Sequence, residues 1–261
     1  MKSTLQKSES SLHSVLRLAL LLICGAAILL FYASPTVSAD AKLNSLLSAV
    51  IPRFFICVFL LVLAVEFFPA VLAAKRISAK KLLWCILPLL VALVNFPVSA
   101  LIRGTATVTR AELLWLFLIK CLFIGLSEEL LFRGIIFTSL LEHFKKNKWA
   151  LFFSVLLSAV IFALFHFINL FDGAGILEVL QQVGYSFLIG AMLAVVLFMT
   201  DNLWLCVLLH ALFDAGGFLI SDLGVGNPQD LAFWILTIVI GVCCTVQIIL
   251  TIFKQQKRLL G

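Results

Sequence analysis

The chain has 261 residues, 63% hydrophobic and only 12% charged, with a mean hydropathy of +1.19. Soluble domains run at about 45–50% apolar and 25% charged, so a soluble globular protein, a disordered chain, a coiled coil and a collagen-like repeat are all excluded. The net charge of +6 comes from 19 Lys and Arg against 13 Asp and Glu; it lies at the ends of apolar runs, and no nucleic-acid partner is expected.

A membrane span needs about 20 apolar residues to cross a core about 30 Å thick. On that measure the sequence predicts an all-α, polytopic membrane bundle of about eight transmembrane helices, near residues 15–33, 54–74, 82–102, 113–141, 149–170, 176–199, 203–220 and 231–253. Residues 1–110 then form three N-terminal spans, 111–222 a core and 223–261 a last span with a basic tail. The first span has a competing reading as a secretory signal, because Val37, Ser38 and Ala39 precede Asp40 like a small-residue cleavage site. Pro88 and Pro97 are expected to kink the third span, and Gly216 and Gly217 to allow close packing in the seventh. The seven cysteines sit inside apolar runs without metal-type spacing and read as small core or lipid-facing residues.

Lys and Arg near span ends are retained on the cytoplasmic side. An N-terminus inside places Lys75, Arg76, Lys80, Lys81, Lys145, Lys146, Lys148, Lys254, Lys257 and Arg258 there together with Lys2, Lys7 and Arg17, and leaves Lys42, Arg53, Arg103 and Arg110 outside. Both termini are therefore expected in the cytoplasm, and the compact chain fits a bacterial plasma membrane, with membrane lipid as its surroundings.

Ionisable groups at membrane depth cost about 2.5–3.5 kcal/mol each on insertion scales, so they face partners or cavities inside a bundle. The densest cluster is Gly125-Leu126-Ser127-Glu128-Glu129-Leu130-Leu131-Phe132-Arg133. Glu129 and Arg133 are four apart on one helix face, the better order for an ion pair, while Glu128 points about 100° away and is left to enter a polar pocket. In the fifth span Phe162 precedes His166 by four residues, and in the seventh His210 precedes Asp214 by four. A Glu with two His suits water activation: a carboxylate to take the proton and imidazoles to stabilise developing negative charge. Each pair alone also reads as a structural helix-packing contact. Glu66 and Lys120, the remaining intramembrane charges, read as structural partners or as a pocket rim.

The ordered set Glu128-Glu129-x-x-x-Arg133, Phe162-x-x-x-His166 and His210-x-x-x-Asp214 resembles the three motifs of the CPBP intramembrane protease family, which holds the type II CAAX prenyl endopeptidases and proteins linked to bacteriocin self-immunity. The resemblance covers roughly residues 113–220 and implies a glutamate-dependent intramembrane endopeptidase acting on membrane-associated peptides or proteins, lipidated ones included. By it, Glu128 activates water with His166, His210 and Asp214 form the oxyanion hole, and Glu129, Arg133 and Phe162 support them. CAAX-processing members carry Asn where this chain has Asp214, and an ionised carboxylate cannot donate to an oxyanion; His210 is thus the stronger donor candidate.

No cofactor is expected. The alternative is a catalytic zinc held by Glu128, His166 and His210, although HExxH is missing. The alternative function is a non-catalytic immunity protein or transporter using the same charges as a proton or ion relay. At about 1.5 Å rise per residue, upright helices would put Glu128 roughly 20 Å, His166 about 25 Å and His210 about 10 Å from the cytoplasmic ends of their spans. Convergence therefore requires tilted helices, or fourth and fifth spans that continue past the bilayer.

Overall fold

The computed structural model describes residues 23, 25, 36–171 and 173–260, with the backbone alone for 256–260. Apart from residues 23 and 25, the first expected span, 15–33, lies outside the described residues. From residue 36 onward the chain forms a membrane bundle that is helical almost throughout: α1 (Ala41–Phe67), α2 (Ala79–Trp84), α3 (Ile86–Val94), α4 (Val98–Arg103), α5 (Leu114–Glu129), α6 (Thr138–His143), α7 (Ala150–Phe165), α8 (Ile176–Thr200), α9 (Leu203–Leu223) and α10 (Leu231–Leu260). Among the described residues, six segments are long and apolar enough to cross a membrane. The fourth expected span is a composite rod, α5 running through a π-helical stretch (Leu130–Phe137) into α6.

The Met192–Leu197 run of α8 is almost wholly inaccessible, as expected for a helix apolar all round at the centre of a bundle. Away from that run, large apolar side chains such as Ile102, Leu177 and Leu208 are exposed. In water such a surface would be unsustainable, and in lipid it is the ordinary exterior.

The third expected span is one helix in hydropathy and three in fact. Pro88 has no N–H to give to the carbonyl four residues back, that of Trp84, and α10 replaces it: Gln247 Nε2 donates to the Trp84 carbonyl at 2.9 Å, while Trp84 Nε1 donates to Thr251 Oγ1 at 3.2 Å. The second break, at Asn95–Pro97, packs against α9 where it carries Gly216 and Gly217. A Cβ on Gly216 would lie 2.7 Å from Asn95 C and Phe96 N, so only glycine admits that backbone, and Asn95 Nδ2 donates to the Phe213 carbonyl at 2.7 Å.

Two short strands absent from the hydropathy pattern tie one end of the bundle together. β1 (Ala106–Val108) pairs antiparallel with β2 (Gly224–Gly226), Ala106 opposite Gly226, and the Thr109 and Arg110 N–H groups both donate to the Leu223 carbonyl at 2.9 Å. Gly226 adopts φ +105, left-handed backbone that favours glycine. Beside this ladder, Asp40 caps α1 by accepting from Leu43 N at 2.9 Å, and Arg110 forks onto the same carboxylate at 3.1 and 3.0 Å. The opposite end carries Lys75, paired with Asp201 at 3.6 Å, and the tight α8–α9 turn whose Asn202 Nδ2 donates to the Lys75 carbonyl at 2.9 Å.

Candidate active site

Antiparallel packing of the rod on α9 brings the polar residues together. Gly125 is wedged against α9 so closely that a Cβ would lie 3.0 Å from Val207 O and Ala211 N, and at Gly134 the nearest side chains are Leu203 and Val71, 3.7 Å from a Cβ. Gly134 is thus level with the start of α9. The rod continues beyond Gly134 into α6, and α7 returns alongside it, Ser158 Oγ donating to the Phe132 carbonyl at 3.2 Å. Glu128 is six residues from Gly134 and His210 seven from Leu203, so the antiparallel packing brings the two side chains to one level.

At that level Glu128 and Glu129, on two faces of the rod, straddle the His210 imidazole. Nδ1 lies 2.7 Å from Glu129 Oε1, and Nε2 lies 3.5 Å from Glu128 Oε2 and 3.8 Å from Asp214 Oδ2. Ionised Glu129 only accepts, so Nδ1–H is the donor. Nε2, facing the other two carboxyl groups, then carries a lone pair in the neutral ring and a proton only in the imidazolium.

Glu129 Oε1 also meets Arg133 Nη1 at 3.0 Å, with both side chains at 0% exposure. This is the expected ion pair, buried, and it serves a third partner: one carboxylate oxygen holds both the guanidinium and the imidazole. The guanidinium carbon lies 4.3 Å from the centre of the Phe162 ring, a cation–π contact. Phe162 in turn stacks edge-on against His210 at 5.9 Å and His166 at 4.9 Å. Asp214 is 8% exposed, and its Oδ2, like Glu128 Oε2, is buried without a hydrogen-bond partner.

Residues 110–216 match the family model described as type II CAAX prenyl endopeptidase Rce1-like. The segment is a CPBP family domain. No curated protein and no solved structure matches the chain. CPBP membership supports, in broad terms, an intramembrane peptidase acting on peptide or protein in a lipid environment.

The fold of this CPBP domain gathers Glu128, Glu129, Arg133, Phe162, His210 and Asp214, and His166 adjoins them through the Phe162 ring, 4.9 Å away. His166 begins the 3-10 stretch after α7, and its Nδ1–H donates to its own helix, to the Phe162 carbonyl at 2.9 Å. It makes no hydrogen bond to Glu128 among the described residues. For the alternative zinc set, the Nδ1–H groups of His166 and His210 are both committed, to the Phe162 carbonyl and to Glu129, which leaves each Nε2 as the ring nitrogen able to ligate; among the described residues no three His, Cys, Asp or Glu are grouped to hold a metal ion. Two links were invisible in the sequence. The Glu129–His210 bond joins residues 81 apart, and Lys120 pairs with Asp222 at 2.6 Å while lying 4.6 Å over the Phe218 ring. Only the bare presence of those charges in apolar runs signalled them. Glu66 sits exposed in the last turn of α1.

Proposed function

We propose that the protein is a glutamate-dependent intramembrane endopeptidase in which Glu128 is the general base, His210 and Asp214 stabilise the oxyanion, and Glu129 orients His210. One observation carries the reading: Glu128 and Asp214 both approach His210 Nε2, at 3.5 and 3.8 Å. Those separations exceed a direct N–H···O bond and suit one bridging oxygen, from water or from a peptide carbonyl.

Glu128 takes a proton from water as the water oxygen attacks the scissile carbonyl carbon. Negative charge develops on the carbonyl oxygen, and imidazolium Nε2–H or protonated Asp214 donates to it in a site sheltered from bulk water. Collapse breaks the C–N bond, and the amine leaves with the proton that Glu128 held. Glu129 fixes the ring by accepting from Nδ1–H and stabilises the imidazolium, while Arg133, 3.0 Å from the same oxygen, holds Glu129 in place. By the family resemblance His166 is a second partner for the water; with Nδ1–H committed to Phe162, its Nε2 is the nitrogen left to accept.

The purified Glu128→Gln variant, incubated in lipid with candidate membrane peptides and followed by mass spectrometry of the products, should lose cleavage by a factor of about 10²–10⁴ while keeping the thermal transition of the parent. Full cleavage by that variant removes Glu128 from its role. Flux driven by a pH gradient with no peptide product would point to the relay instead.

A further inference from the structure

Asp214 faces His210 on one side and a cavity of about 430 Å³ on the other, walled by α3, α8, α9 and α10. The cavity starts at Gln181 and Gln229, near the N-termini of α8 and α10 on the side of the β-ladder, and passes Tyr185 and Thr237 on its way to Asp214. Its outer wall is α10, which is tied to the bundle on either side of the cavity. Near the ladder, Ser99 Oγ donates to Asp230 Oδ1 at 2.7 Å; toward the other end, Gln247 and Thr251 hold Trp84.

The lining selects its occupant. It includes no Lys, Arg, Glu or His, and its carboxyl group, Asp214, is committed by the proposed mechanism to the oxyanion, so a charged side chain would be desolvated there without a free partner. Yet it is not purely apolar. Thr237 Oγ1 and Asp214 Oδ2 are buried without hydrogen-bond partners, and the amides of Gln181 and Gln229 border the same space. A hydrocarbon chain offers these groups nothing. An extended peptide offers one N–H and one C=O per residue, with apolar side chains for the remaining wall.

We infer that this cavity is the substrate channel: it takes an extended peptide of uncharged, apolar residues from the ladder end of the bundle and leads its backbone to Asp214 and the Glu128–His210 pair. The inference rests on the peptidase reading for its consequence, but the binding it describes is measurable without cleavage.

Two measurements test it. An uncharged acetylated octapeptide amide of Leu, Val and Phe, with one benzophenonylalanine, is photo-crosslinked to the Glu128→Gln protein in lipid nanodiscs. Crosslinks on α8 and α10 around Tyr185 and Thr237 are expected; crosslinks at the Lys75–Asp201 end, or none, overturn the inference. Gly241, also on the cavity wall, has open space where a Cβ would stand, with nothing within 4 Å, and leucine there favours the helix. Gly241→Leu in the active protein should raise KM for the same sequence without the photoprobe at least tenfold with kcat within twofold, and an unchanged KM overturns the channel. Crosslinking in the cavity with no cleavage by wild type would sink the peptidase reading and leave the channel standing. Cleavage with crosslinks elsewhere would do the reverse.

Discussion

At the centre of the site one oxygen, Glu129 Oε1, carries two obligations, the Arg133 guanidinium and the His210 Nδ1–H. Removing one member of a buried ion pair strands the other, at a cost of about 3–5 kcal/mol. Arg133→Met should therefore lower the thermal transition sharply, and Glu129→Gln in the same chain should recover part of the loss, as read by melting in detergent; equal transitions for single and double variants would deny the coupling. Asp214 poses a separate question, because only its protonated form donates. Asp214→Asn donates at every pH, so its cleavage should persist to higher pH than the parent's, measured as the alkaline limb of kcat/KM. A limb that does not move would leave Asp214 without a donor role.

The elements that place these residues are those with irregular backbone. A π-helical stretch follows Glu129 directly, where an extra residue per turn re-aims side chains, and the α3–α4 break presses on α9 beside Asp214. Gly216→Ala would push a Cβ into Asn95 C and Phe96 N, each 2.7 Å away. Such overpacking costs about 1–3 kcal/mol, and because the displaced turn of α9 carries Asp214, cleavage should fall along with the melting temperature. A stable but inactive Gly216→Ala protein is excluded by this argument, and circular dichroism melts beside activity would detect it.

Across the molecule, the ladder end is locked by charge as well as by strands. Arg110, forked onto Asp40, holds that carboxyl below its ordinary pKa, and does the same to Glu112. A depressed carboxyl stabilises the fold above its unfolded pKa, about 3.9 for Asp, and the contribution is lost as pH falls through the folded value. The melting difference between wild type and Arg110→Ala should hold near neutrality, shrink below about pH 4 and diminish in high salt, since the groups are partly exposed. A difference constant from pH 7 to pH 3 would mean that Arg110 acts through packing alone.

Periodicity and composition in the sequence determined the membrane bundle, the approximate span positions and the residues worth watching, because an ionisable group in an apolar run is costly enough to be retained only for a partner or a pocket. The Glu129–Arg133 pair was legible for a local reason, four residues being one helical turn. Tertiary structure alone decided the rest. It assigned His210 to Glu129 across 81 residues, set the His166 ring against Phe162, split the third span at prolines whose freed carbonyl found Gln247, and formed strands too short to show alternation. These outcomes depend on helix register and crossing, which arise from side-chain packing between distant segments and leave no periodic trace within either one.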